Sequence, residues 1–329
     1  MAPPPPGRLA RIQVSSRGVA NGTSSEKNHG FAFGPDTPNT RTGGIQEAIH
    51  RVFTLGGGAV ELDPSSTFEL HVPLTLRSHL WLEGWGATVQ NVERGATTVQ
   101  TPPGEVTTGL HVRGLRIDGA NPVAQGFALD LTALQDSDID VSIVNSFHGV
   151  RLHAPAEAKG SDPLLHANVC VNRFRFRMDR IRGTGLTLRG ESPTAVVTDN
   201  TFEEIYATRV GGIGVAFAQW ADSNLFGHLF VSLNGEESTG LVFNGLGHEE
   251  NRGVYNNLFQ KVSVDAFALK SATAVRIFNS KLNQIEQLYT SPEGKAFPGP
   301  IVDDRGCESY RILSTSDVRL YARGMPGAA

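Results

Sequence analysis

Between residues 109 and 290 two short patterns recur, and together they leave this chain few folds to adopt. The first is Asn-x-Phe or Asn-x-Ile: Asn172-Arg173-Phe174, Asn200-Thr201-Phe202, Asn224-Leu225-Phe226, Asn257-Leu258-Phe259 and Asn283-Gln284-Ile285. The second is Gly, apolar, any residue, apolar. It occurs as Gly126-Phe127-Ala128-Leu129, Gly149-Val150-Arg151-Leu152, Gly185-Leu186-Thr187-Leu188, Gly214-Val215-Ala216-Phe217 and Gly240-Leu241-Val242-Phe243, and continues in Ala274-Val275-Arg276-Ile277. The two interleave at irregular spacing, as coils joined by turns of variable length would. Each coil puts the same residue class at the same place, about 4.8 Å from its neighbour. Phe then forms an inward aromatic stack, and Asn forms a side-chain hydrogen-bond ladder at a turn. No coil buries a core alone, so neighbours supply the stability and both ends need caps.

Aligning the coils on Asn places the outward residues. Four positions after Asn stand Glu204, His228, Lys261 and Gln287; six after stand Tyr206, Phe230, Ser263 and Tyr289. Ile205, Leu229, Val262 and Leu288 fall between them and point inward. One outer face is therefore expected to carry a polar column beside a column of large aromatics. A merely solvated face has no need of Tyr, Phe and Tyr on three coils. Two readings stay open: a subunit interface, which exposed apolar patches most often mark, and a platform on which sugar rings stack.

Ahead of the repeats the spacing changes. Ile45, Ala48, Ile49, Val52 and Phe53 recur at helical intervals and predict a helix over 44–55, ended by Gly56-Gly57-Gly58. The period then falls to two through Val60 and Leu62, Phe68 and Leu70, Leu74 and Leu76, and Leu80 and Leu82. A short amphipathic helix ahead of many short strands predicts a cap over the first open edge of a stack. The segments GGIQEAI, GGGAVELDP and VPLTLRSHLWLEGWGATV resemble the entry of the pectate-lyase-like superfamily. That resemblance implies an all-β, single-stranded right-handed parallel β-helix (pectin-lyase-like) with a short N-terminal capping α-helix. In style the chain is similar to phage tailspike and minor tail proteins. The superfamily also holds lyases, hydrolases and inert tail proteins, so the fold does not name a function.

Three regions follow: an arm over 1–42, the β-helix over 43–290, and a closing or partner-contact segment over 291–329. In the arm, Pro3–Pro6 favours polyproline II and cannot pair in a sheet. The rest of the arm is rich in Gly, Ser, Asn and Thr, and a neighbouring subunit is the expected support. In the last segment, turns are expected at Ser291–Gly294 and Phe297–Pro300, and strands at Tyr310–Leu313 and Val318–Tyr321. The net charge of −4 provides no field for nucleic acid or an anionic membrane. No apolar run has the length of a membrane span, and no secretory signal is visible at the start. Assembly in a host cytoplasm as part of a virion tail is the expectation, with export by another route the alternative. Cys170 and Cys307 are too few for a disulfide framework or a zinc site. A homotrimer is expected, with the arm or the last segment meeting other tail proteins and no cofactor.

For catalysis, the superfamily's hydrolases imply Asn-x-Asp, Asp-Asp, Gly-His-Gly and Arg-x-Lys in that order. Here Asp303-Asp304 lies beyond the coils and His148-Gly149 is half a motif, so the set does not match. Its calcium-dependent lyases imply an acidic cluster with an Arg as base. Asp136, Asp138 and Asp140 come nearest, but a plain strand face explains them and no further oxygen ligands are evident. Glu203, Glu204 and Asp222 offer carboxylate pairs. Glu204, His228 and Lys261, stacked on successive coils, form the best acid–base candidate, since a His between opposite charges titrates near neutral pH. A polar column at the edge of an interface also explains them, and structural ion pairs are commoner than catalytic ones. Arg173, Arg175 and Arg177 alternate with Phe174 and Phe176, and could hold an anionic glycan or carboxylates of another subunit. Trp81 points outward, with Trp85 at the next turn, to be covered by the arm or to stack on sugar. His148, Arg151 and His153 read as surface residues near one turn. The leading expectation is a rigid trimeric appendage touching host-surface polysaccharide. A lyase or glycosidase of acidic polysaccharide and a purely structural tail component are the alternatives.

Overall fold

The computed structural model describes residues 10–16, 32–93, 97–120, 125–160, 167–243, 253–266, 269–290, 297–305 and 309–315. Within them the chain winds as a parallel β-helix, and every pairing between strands is parallel. A middle turn shows the plan. Val197–Thr198 is a two-residue strand, a bend follows, Thr201–Val210 is a long strand, and Ile213–Gln219 belongs to the second sheet. The next turn repeats it with Ala221–Asp222, Leu225–Leu233 and Ser238–Phe243.

The Asn pattern sits at the bend. The residue before each Asn takes the left-handed conformation: Val171 (φ 59°), Asp199 (53°), Ser223 (51°), Asn256 (57°) and Leu282 (54°). A Val there is costly, and the Asn ladder supplies the compensation. Asn172 donates through Nδ2 to Asn200 Oδ1 at 2.9 Å. The same bond joins Asn200 to Asn224, Asn224 to Asn257 and Asn257 to Asn283, each at 3.0 Å. Each Oδ1 also accepts the backbone N–H of the preceding rung's Asn. All five Asn are buried. Ser137 stands where a sixth would, its N–H donating to Asn172 Oδ1 at 3.0 Å.

Two residues later the interior column runs through the whole stack: Ile12, Val60, Leu82, Val112, Ile139, Phe174, Phe202, Phe226, Phe259, Ile285 and Ile312. The four Phe rings stack at centroid separations of 5.0, 4.2 and 4.4 Å. Burying each contributes about 1.5–3 kcal/mol, with about 0.5–1.5 kcal/mol more per aromatic pair.

The Gly pattern forms the corner into the second sheet. A Cβ on Gly149, Gly185, Gly214 or Gly240 would lie 2.3–2.7 Å from the carbonyl oxygen of the residue above it, namely Gly185, Gly214, Gly240 and Ala274. Gly126 does not belong to this column. Phe127 pairs with His148 and Leu129 with Val150, so Ala128 takes the corner and the copy at 126–129 is two residues out of register. The same register places His148, Arg151 and His153 on a second-sheet strand, His148–Ala154, half-buried, not at an exposed turn.

The helix spans Ile45–Thr54 and buries Ile45, Ala48, Ile49 and Val52, while Phe53 stays exposed beneath the Arg77 guanidinium. Its Gln46 amide clips the first strand of the second sheet. Oε1 accepts Thr75 N–H at 2.8 Å and Nε2 donates to Thr75 O at 3.1 Å. This satisfies edge groups that would otherwise be open. The arm does more than extend outside. Ala10–Val14 pairs with Gly58–Leu62 and with Ala32–Phe33, so this chain's own first rung holds part of it. At the other end the pattern continues where a break was expected. Val302–Arg305 extends the second sheet and Ser309–Thr315 the first. Pro3–Pro6, Ser291–Gly294, Cys307 and Val318–Tyr321 lie outside the described residues.

Candidate functional site

The outer face of the long strands carries two side-by-side columns, set by register. The polar column runs Glu83, Arg113, Asp140, Arg175, Glu204, His228, Lys261, Gln287. The second runs Ser142, Arg177, Tyr206, Phe230, Ser263, Tyr289. The expected neighbours Glu204–His228–Lys261 and Tyr206–Phe230–Ser263–Tyr289 are therefore in line, with Ile205, Leu229, Val262 and Leu288 buried between them. One irregularity escaped the spacing argument. The register shifts between Phe174 and Arg175, leaving Glu203 as an extra residue opposite that pair and bringing Arg175 level with Glu204.

That shift assembles an ionic network. Glu203 receives Arg173 at 3.2 Å and Arg175 at 2.5 Å. Asp140 receives Arg175 at 3.2 Å, with Arg177 at 3.8 Å. Glu204 accepts from Arg177 at 3.0 Å, and Asp138 from Arg113 at 2.9 Å. The three arginines are thus engaged by carboxylates of their own chain on adjacent rungs. The hydrogen bond and charge of Asp138 push the Arg113 guanidinium above its ordinary range. Asp136 leaves the strand alternation, standing in the bend at φ 49°. Among the described residues no group of three or more His, Cys, Asp or Glu side chains could hold a metal ion, and no helix is long and apolar enough to cross a membrane.

The acid–base trio is aligned, but no hydrogen bond joins Glu204, His228 and Lys261 among the described residues. Glu204 is held by Arg177 rather than by its neighbours in the column. Burial, and then the Lys261 ammonium, lower the His228 pKa against the pull of Glu204, so His228 is neutral at neutral pH. Lys261 Nζ lies over the Tyr289 ring, 5.5 Å from its centroid. Asp222 stands apart, on the short-strand column, accepting Thr198 Oγ1 at 2.6 Å and the Tyr255 hydroxyl.

The aromatics are brought together in part. Tyr206 and Phe230 stack at 4.6 Å with planes 12° apart, and Tyr206 and Tyr289 are each 41% exposed. Trp81 belongs to a different column, several rungs toward the N-terminus, where it packs on His111 at 4.4 Å and remains exposed. Trp85 is exposed at a turn. On the second sheet Arg151 binds both oxygens of Asp130 and lies over the Phe127 ring, and His153 meets Glu191 at 2.9 Å. These pairs tie rungs together.

No protein-family model and no curated protein sequence matches the chain.

Proposed function

We propose that the protein is a rigid appendage of the phage-tail kind, a homotrimer assembled in a host cytoplasm, whose outer face contacts surface polysaccharide. The observation that supports this reading is the Tyr206–Phe230 stack with Tyr289 beyond it, the two tyrosines exposed and Phe230 half-buried, on a stiff wall of paired strands. Such a wall holds its side chains in fixed positions, so a polymer meets them with little ordering cost. The alternative of a lyase or glycosidase is weakened by the arginine grip on Glu203 and Glu204. Binding of the intact protein to an immobilised panel of bacterial surface polysaccharides tests the reading, together with the mass of the native particle. Binding that Phe230→Ala removes, from a three-chain particle, is the expected outcome. A monomer that retains no glycan refutes it, and release of reducing ends or unsaturated uronate favours the enzyme.

A further inference from the structure

Among the described residues, Trp81 keeps one ring face without a partner. Ala59 and His111 are its neighbours along the column, and the indole packs on the His111 ring at 4.4 Å. On the opposite side the column offers only the methyl group of Ala59, and Arg11, one rung further, is drawn off to Glu61 at 3.1 Å. Trp81 is 39% exposed, and among the described residues its Nε1–H donates to no acceptor. Trp85, four residues on, is 57% exposed. Four residues of extended chain cover at most about 13 Å.

The chain that starts beside this face carries a matching segment. Nine residues, MAPPPPGRL, precede Ala10, whose strand pairs with Gly58–Leu62, the rung next to Trp81. Pro3–Pro6 favours polyproline II, a stiff helix that advances about 3.1 Å per residue, so four prolines span about 12 Å, close to the reach from Trp81 to Trp85. Proline rings dock on aromatic faces, and carbonyls free of internal hydrogen bonds accept an indole N–H. Such a run is stiff before it docks, so little conformational entropy is lost. The path of the coil directs it to another copy. Each long strand is entered from the short-strand side, as Val197–Thr198 leads through Asp199 into Thr201–Val210. Traced back from Ala10, that path runs away from the long-strand face that holds Trp81 on the same copy. We propose that Trp81, with Trp85 beyond it, is the seat of Pro3–Pro6 from a neighbouring copy of this chain. Copies that each give one run and take one close into a ring. This rests on association of the chain, as in the homotrimer proposed above, and does not require a polysaccharide.

The test uses the full-length chain, Trp81→Ala, Trp81→Phe and a variant with Pro3, Pro4, Pro5 and Pro6 all changed to Ser. Sedimentation gives the particle mass against concentration, and circular dichroism checks that each variant keeps the strand signal. Trp81→Ala and the four-serine variant should each weaken association by at least about thirtyfold, as loss of a central aromatic anchor does. Trp81→Phe, which keeps a ring and loses the N–H, should fall between them and the unaltered chain. Mixing Trp81→Ala with the four-serine variant should form pairs at concentrations where neither forms them alone. The first still supplies the prolines and the second the indole, so this recovery requires a contact between copies. A particle whose mass neither variant changes overturns the proposal and leaves the homotrimer standing. Dissociation of both variants with no recovery on mixing also overturns it, since the run then serves its own chain. A full-length chain that stays single at every concentration overturns both.

Discussion

Replacing Asn224 by alanine tests the ladder at its centre. The Asn224 side chain is 1% exposed and makes five hydrogen bonds. Nδ2 donates to Val197 O at 3.0 Å, Asp222 O at 2.8 Å and Asn257 Oδ1 at 3.0 Å. Oδ1 accepts Asn200 N–H at 3.3 Å and Asn200 Nδ2 at 3.0 Å. Two hydrogens serve three acceptors, so the effective number is about four, at about 1 kcal/mol each. The partners left behind are themselves buried, which keeps the loss from shrinking. The expected destabilisation is about 3–5 kcal/mol, a large part of a typical folding free energy of about 5–15 kcal/mol. Equilibrium denaturation in guanidinium followed by circular dichroism measures it, with exposed Asn234→Ala as control. Asn224→Asp sharpens the test, because it keeps the shape and loses both donors. Its carboxylate would face Val197 O, Asp222 O and Asn257 Oδ1, so its pKa must rise. That variant should be least stable near neutral pH and recover as pH falls through the raised pKa. An alanine variant within about 1 kcal/mol of the control, or an aspartate variant insensitive to pH, would refute the reasoning.

Three further outcomes are expected. Gly214→Ala should lower stability by about 1–3 kcal/mol or more through overpacking, since its Cβ would lie 2.4 Å from Gly240 O and 2.6 Å from Val231 Cγ1; an unchanged melting temperature would show that the corner has room. Burial lowers the pKa of His148, whose Nδ1 accepts Thr184 N–H at 2.9 Å. Below about pH 6.5 the unfolded chain takes up this proton and the folded one does not, so His148 stabilises fully above that pH and the contribution is lost as pH falls toward the folded pKa. Melting temperature against pH should show the drop, and His148→Asn, whose Oδ1 can accept the same N–H, should flatten it; an identical slope would exclude His148 as the source. Gln46→Ala should cost about 1–3 kcal/mol by leaving Thr75 N–H and C=O without their clip, visible as faster hydrogen exchange at Thr75, and unchanged exchange there would remove the helix's role as an edge cap.

Much of the outer face could be read from the chain because one bend residue repeats. Once Asn200, Asn224, Asn257 and Asn283 are aligned, strand alternation alone puts Glu204 beside His228 and Tyr206 beside Phe230, and the pairing register agrees. The helix and its buried stripe were legible for the same reason, a local period. The slip at Gly126 was not, because a motif of small and apolar residues matches itself in more than one register. Nor was the first rung, since Ala10–Val14 is too short to announce a strand and forms one against Gly58–Leu62 and Ala32–Phe33.

By itself the sequence settled what is periodic: a winding chain with Asn at the bend, Phe and aliphatic residues inside, and two outward columns. Only the tertiary structure decided which charges meet. Glu203, an extra residue within its strand opposite the Phe174–Arg175 step, draws Arg173 and Arg175 together, and Glu204 meets Arg177, converting three apparently free guanidinium groups into ion pairs. The physical reason is that contacts between rungs depend on loop lengths and single-residue shifts, which change what stands opposite what without altering the pattern along either strand.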